Sequence, residues 1–173
     1  MSNALGFPPL VGESPRVLIL GSLPGQASLR AQAYYAMPRN AFWPILATVI
    51  GTPADAPYTS RCAALVDKGI ALWDVCASAR RQGSLDADIE RDSVEPNPLG
   101  RLLTDHSSIQ AILFNGQAAA ALYAQHVIQT LSPVAAALPR ITLPSTSPAH
   151  ARLSFQRKAA QWHASLAMQL DHR

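Results

Sequence analysis

The sequence predicts an α/β fold, a three-layer α/β/α sandwich with a central four-stranded, mainly parallel sheet. Three observations predict it. Four short apolar runs, 16–21 (RVLILG), 70–75 (IALWDV), 109–114 (IQAILF) and 140–143 (RITL), are continuous rather than alternating, the pattern of strands covered on both faces. Helical patterns separate these runs, and strands that alternate with helices form parallel sheets joined by right-handed crossovers. The chain has 173 residues, 49% of them hydrophobic, enough for one full core and short for two domains.

Residues 1–14 form an N-terminal extension whose Ser2-Asn3-Ala4 start has the look of a cloning remnant and contributes no element to the predicted fold; 1–173 is one domain. After the first strand, Asn40 caps a helix through Ile50, with Pro44 in its first turn and Gly51 beyond its end. Ser60 starts a second helix through Lys68, closed by Gly69. Asn97-Pro98 reads as an N-cap followed by proline at the first helical position and opens a short helix near 99–106. The longest clear helix is 117–131 (QAAAALYAQHVIQTL), and the last is 154–170, with Phe155, Ala159, Trp162 and Leu166 at helical spacing. The stretch 82–98 carries Asp86, Asp88, Glu90, Asp92 and Glu95 and reads as an exposed acidic excursion. There is no internal repeat.

Composition narrows the function classes. No apolar run approaches the roughly 18 residues of a membrane span, and the N-terminus lacks the basic-then-apolar order of a signal peptide, so a cytoplasmic chain without membrane contact is expected. Cys62 and Cys76 are too few for an iron–sulfur cluster or structural zinc, so no metal and no cofactor are expected, and both thiols read as reduced. Charged residues make up 14% and the net charge is +3, from 14 basic and 11 acidic side chains. That balance is too mild to announce a nucleic-acid binder. It is an average, however, because five of the acidic residues sit in the 82–98 excursion and leave the rest more basic. Arg39, Arg152, Arg157 and Lys158 are expected near the ligand face.

Ligands of open α/β sheets sit at the carboxyl ends of the strands. That points to 21–25 (GSLPG), 73–75 (WDV), 114–116 (FNG) and 144–152 (PSTSPAHAR). The first is neither G-x-G-x-x-G nor a P-loop, and alone it reads as a tight turn shaped by Pro24 and Gly25. Its continuation is more telling. Residues 21–46, GSLPGQASLRAQAYYAMPRNAFWPIL, present Gly21, Ser22, Pro24, Tyr34, Tyr35, Pro38, Asn40, Phe42 and Trp43 in the order strand, G-S-x-P, spacer, Y-Y-x-H-P-x-N-x-F-W, helix. Pro144-Ser145-Thr146-Ser147-Pro148-Ala149-His150 follows P-S-T-S-P-A-N, and LWDV at 72–75 and GSLDADI at 83–89 lie between. On these motifs the chain resembles the uracil-DNA glycosylase superfamily, from about residue 16 to 165. Within it the likeness is to the hypoxanthine-DNA (deoxyinosine) glycosylase branch, related to the mismatch-specific uracil glycosylases. Met37 stands where the family has His, and His150 where it has Asn; both bear on substrate range more than on fold.

The resemblance implies roles. A base inside a duplex is unreachable until it is flipped into a pocket. Tyr35 would be the aromatic floor of that pocket; its alternative is a core aromatic beside Tyr34, and Phe42 and Trp43 read as core. Gly21, Ser22 and Leu23 would form the base-binding turn. Many superfamily members carry Asp or Asn at the Leu23 slot, so the burden of orienting the attacking water shifts to the Asn40 carbonyl, although Asn40 also reads as a helix cap. His150 would stabilise the leaving base or contact phosphate, unless it is an ordinary loop histidine. Asp74 would accept from hypoxanthine N1–H, or equally from uracil N3–H; its alternative is a structural aspartate bonded to backbone. Ser145, Ser147, Pro148, Ala149 and Arg152 would meet the DNA backbone and the gap left by the flipped base, with Arg152 alternatively a helix-start charge.

The expected activity is a monomeric DNA repair glycosylase that acts on DNA holding a deaminated base, hypoxanthine first, and leaves an abasic site. Lys68 and Lys158 lie outside the motifs, so no amine is in place for a lyase step and the enzyme is expected to be monofunctional. The alternatives are a uracil or mismatch-specific glycosylase, a non-catalytic DNA-lesion binder, and a serine hydrolase built on Ser22, Ser147, His150 and Asp74, which lacks a G-x-S-x-G elbow.

Overall fold

The computed structural model describes residues 3–171. In chain order its strands are β1 (Asn3–Leu5), β2 (Val17–Gly21), β3 (Ile70–Asp74), β4 (Cys76–Arg80), β5 (Glu95–Pro96), β6 (Ala111–Asn115) and β7 (Arg140–Leu143). Its helices are α1 (Gln26–Ala31), α2 (Phe42–Ile50), α3 (Tyr58–Asp67), α4 (Leu99–Asp105), α5 (Gln117–His126), α6 (Pro133–Ala136) and α7 (Phe155–Leu170). The four apolar runs form one sheet of order β3-β2-β6-β7, with every pair parallel. β2, β3 and β6 are buried along their whole length, which is why their sequences are apolar without alternation.

Strand periodicity sends alternate residues to opposite faces. Leu18, Leu20, Ile112 and Phe114 face a core completed by Leu99, Leu102, Leu122 and Tyr123 of α4 and α5. Val17, Ile19 and Leu113 face a second core completed by Phe42, Leu46, Leu65, Trp162 and Leu166 of α2, α3 and α7. The register aligns Gly21 with Asp74 and Asn115 with Leu143 at the carboxyl edge. Gly51 and Gly69 end their helices at φ of +66° and +87°, the left-handed geometry a glycine reaches without steric cost. Ser154 caps α7, its hydroxyl oxygen accepting from Arg157 N–H at 3.3 Å.

Several expectations are corrected. Residues 3–5 belong to the fold: β1 pairs antiparallel with β4, which also pairs with β5, in a second sheet that the sequence reading did not contain. Leu10 adds a bridge to Leu72. The 82–98 segment is largely exposed, as expected, but it is tied back to the fold. Arg81 bridges Ile89, Ile89 is buried, and single 3-10 turns at Asp86–Asp88 and Arg91–Ser93 fold the segment back onto β4. Asn97 does not cap α4: its amide donates instead to the Asp74 carbonyl at 2.8 Å, satisfying the end of a buried strand, and Pro98 takes the cap position. The helix expected over 117–131 ends at His126 and continues as a 3-10 turn, Ile128–Thr130. Phe155 follows the cap of α7 and is 46% exposed, whereas Ala159, Trp162 and Leu166 are buried. Among the described residues no helix is long and apolar enough to cross a membrane.

Candidate active site

Two loops face each other at the carboxyl edge of the sheet, one after β2 and one after β7. The floor of the first is crowded. A Cβ on Gly21 would collide with Asp74 Oδ1 and stand 2.9 Å from Tyr35 Oη, so only glycine lets these two side chains meet over the strand end. Tyr35 holds a left-handed φ of +54°, which a non-glycine residue keeps only where its surroundings dictate it. Its ring stacks on buried Phe42 at 4.1 Å between centroids and 25° between planes. Tyr34, next to it, turns into the core and donates its hydroxyl to the Pro8 carbonyl at 2.9 Å. Phe42 and Trp43 are buried, as the sequence suggested.

The Tyr35 hydroxyl and Asp74 Oδ2 are both buried without a hydrogen-bond partner. Burial, then the Asp74 charge, push the Tyr35 phenol well above its ordinary value, against the Asn115 amide. Burial, reinforced by Asp86 and opposed by Arg81, pushes the Asp74 carboxyl up to about 7. Near neutrality this acid is therefore divided between its two protonation states. Cys76, two residues on at the start of β4, is pushed up to about 12, mainly by burial, and stays a protonated core thiol.

Two residues absent from the sequence reading of the site hold the first loop. Arg81 is 9% exposed, and its guanidinium donates to the carbonyls of Leu23, Pro24 and Gly83, joining the turn after β2 to the turn after β4. Ser22 donates its hydroxyl to Asp86 Oδ1 at 2.5 Å. The Asp86 residue is open to solvent, yet packing around its carboxyl raises its pKa, against the Ser22 bond and Arg81. Leu23 turns its side chain into the core. Arg81 carried no local signal: it sits beside a second arginine, and only the meeting of the two turns gives it three acceptors.

Asn40 lies just before α2, one residue ahead of the cap, Ala41, and its Oδ1 accepts from Phe42 N–H at 2.9 Å. The second loop docks beside it. Ala41 N–H donates to the Thr146 carbonyl at 3.0 Å. Thr146, 1% exposed, exchanges two hydrogen bonds with Asn115 at 2.9 Å, and Trp162 Nε1 donates to the Pro144 carbonyl at 2.9 Å. Asn115 thus anchors the loop. Beyond Thr146, the Ser145 and Ser147 hydroxyl oxygens accept from Ser147 N–H and Ala149 N–H, each at 3.2 Å. His150 N–H closes a turn onto the Ser147 carbonyl at 3.0 Å, with Pro148 and Ala149 at its tip and Ala149 exposed. The His150 imidazole makes no hydrogen bond among the described residues, and Arg152 is exposed. Arg39 and Arg157 are exposed as well, but Lys158 is buried under the second loop and not on an open face.

The structure therefore gathers Gly21, Ser22, Tyr35 and Asp74 around one strand end and ties the Asn40 segment to the loop that carries His150. It assembles no hydrolase triad: Ser22 donates to a carboxylate, not to an imidazole. No group of three or more His, Cys, Asp or Glu among the described residues comes together to hold a metal. A surface cavity of about 380 Å³ lies away from this site, between α4 and the end of α5.

The buried Asp74 carboxyl at the end of β3 and the Tyr35 ring thus meet at the carboxyl edge of a parallel α/β/α sandwich, where such sheets bind ligands. The sequence profile of the Uracil DNA glycosylase superfamily matches residues 8–169, and the chain belongs to that superfamily. Membership makes it a DNA glycosylase by class, with DNA as its substrate. It is 38% identical over 113 residues to the Hypoxanthine DNA glycosylase of Methanosarcina barkeri, covering 65% of this chain and 70% of that one. Against the Hypoxanthine DNA glycosylase of Methanosarcina acetivorans it is 33% identical over 162 residues, 92% of this chain and 95% of that one. A solution NMR structure of a candidate uracil DNA glycosylase from Methanosarcina acetivorans superposes with a TM-score of 0.80 at 31% identity, covering 99% of this chain and all of that one.

Proposed function

We propose that the chain is a monofunctional, single-domain monomer that hydrolyses the N-glycosidic bond of deoxyinosine in DNA, with uracil in mismatches as the second substrate. One observation carries the reading: Tyr35 Oη and Asp74 Oδ2 are buried and unpaired side by side at the strand end. More than about 90% of buried polar groups are paired in native structures, so two neighbouring orphans call for a ligand that supplies a donor and an acceptor. The N1–H and C6=O edge of hypoxanthine does so, with N1–H donating to the Asp74 carboxylate and the Tyr35 hydroxyl donating to O6. Uracil carries the same pair of groups. The names of the two Methanosarcina relatives favour hypoxanthine.

In this reading a flipped base meets the hydroxyl edge of Tyr35, whose ring face is stacked on Phe42. The Asn40 carbonyl oxygen, with one lone pair engaged by Phe42 N–H, offers its second to the water that attacks C1′. The His150 ring, engaged by no other group, donates to the base as negative charge builds on it. Ser145, Ser147, Pro148, Ala149 and Arg152 contact the DNA backbone. The Lys158 amine is committed to two carbonyls and is therefore not the nucleophile of a lyase step. The unpaired Cys62 and Cys76 fit a reducing cytoplasm.

The test is incubation with duplexes holding deoxyinosine, deoxyuridine or deoxyxanthosine, followed by hot alkali. Strand breaks greatest with deoxyinosine are expected, together with no borohydride-trapped adduct. Asn40→Ala should lower the rate about 100-fold or more. An Asn40→Ala enzyme that cleaves normally refutes the mechanism, and retarded migration of the DNA without breaks would make the protein a lesion binder.

A further inference from the structure

Beneath the second loop lies a charged side chain that no step above uses. Lys158 is one turn into α7 and 5% exposed. Its ammonium donates to the His150 carbonyl at 2.6 Å and to the Ser147 carbonyl at 3.3 Å. Those are the last and first residues of the 147–150 turn, whose tip is Pro148-Ala149. The two halves of the loop are held differently. Residues 144–146 have Trp162, Asn115 and the Ala41 amide as anchors. For 147–150, Lys158 is the only side chain from outside the loop that hydrogen-bonds it among the described residues. Burying an ammonium is unfavourable, and burial lowers its pKa, so an apolar side chain would fill this space at less cost. What an apolar side chain would not do is bind both ends of a turn.

We propose that Lys158 is a positioning residue that stiffens the 147–150 turn from below, so that the Pro148-Ala149 tip holds open the gap from which the target base leaves the duplex. The proposal rests on the glycosylase reading above. It has a specific consequence. Extrusion has to overcome pairing and stacking, so a rigid tip matters for a paired target and little for a base that is already unpaired. The hydrolytic groups at the first loop and Asn40 do not touch Lys158, and its bond to His150 is to the backbone carbonyl, not to the imidazole.

The experiment measures single-turnover base release by the full chain from two duplexes, one with deoxyinosine opposite dC and one with deoxyinosine opposite an abasic analogue. Lys158→Met should slow release from the paired duplex by about 10-fold or more, the loss expected when a positioning contact goes, and leave the unpaired duplex within about 3-fold. Lys158→Arg, which keeps a cationic donor, should recover most of the paired rate. Equal losses on both duplexes, or no loss on either, overturn the proposal. Failure of the wild-type chain to release base from either duplex refutes the glycosylase reading instead. Should Lys158→Met not melt cooperatively, Lys158→Gln, whose amide keeps donors, is read in the same way. If neither variant folds, the lysine serves the fold and the positioning role is overturned.

Discussion

Replacing Asp74 with asparagine probes the buried acid at the end of β3. In the folded chain its pKa is pushed from the ordinary 3.8 up to about 7, first by burial, then by the facing Asp86 carboxylate, with Arg81 opposing. A carboxyl with a higher pKa folded than unfolded keeps its proton longer in the native state. Stability is therefore free of its penalty below pH 3.8 and falls as the pH rises towards 7. At about 1.4 kcal/mol per pH unit the full penalty is about 4 kcal/mol, and about 2.5 kcal/mol of it falls between pH 5 and pH 8. Asparagine has nearly the same shape and does not ionise. On going from pH 5 to pH 8 the wild type should lose about 2.5 kcal/mol more than Asp74→Asn, which should be the more stable of the two at pH 8. Urea denaturation at the two pH values reads the difference. A wild-type-minus-variant gap that stays constant with pH would refute the assignment of a buried, proton-holding Asp74.

Other perturbations separate the remaining contacts. The value of kcat/KM should rise with pH through about 7 as Asp74 ionises to accept the base N–H, and Asp86→Asn should move that midpoint down by removing a neighbouring negative charge; an unmoved midpoint in a pH–rate series would detach Asp86 from the site. Gly21→Ala puts a methyl group against Asp74 Oδ1 and Tyr35 Oη and should lower stability by about 1–3 kcal/mol together with activity, read by thermal melting and base release. Arg81→Lys keeps the charge but loses the fork that reaches three carbonyls, so base release should slow; wild-type kinetics would show that the first loop needs no such clamp. Ser154→Ala removes the α7 cap and should lower stability by about 1 kcal/mol without changing base selectivity.

Much of the architecture is legible in the chain itself. Continuous apolar runs mark strands buried on both faces whatever surrounds them, and three of the four central strands are buried end to end. Gly51, Gly69 and Ser154 end or start helices through their own backbone or side-chain chemistry, which needs no distant partner. Motif order likewise places Tyr35, Asn40, Asp74 and His150 near strand ends. Contacts between segments far apart in sequence are decided only in three dimensions. Nothing local marks Asn3–Leu5 as a strand, because an edge strand is defined by the partner it pairs with. The acidic run at 82–98 is polar by composition, yet Asp86 and Arg81 fold it against the first loop, 58 residues from Leu23 in the case of Arg81. Asn97 has the sequence of a cap and spends its amide on a strand end instead, since an unpaired buried carbonyl is costlier than an uncapped surface helix. Lys158, set outside every motif, becomes the support of a loop only when α7 packs under it. Local sequence determined which elements form and where the site lies along the chain. The tertiary structure decided which buried polar groups are paired and which are not, because hydrogen-bond partners are matters of distance in space.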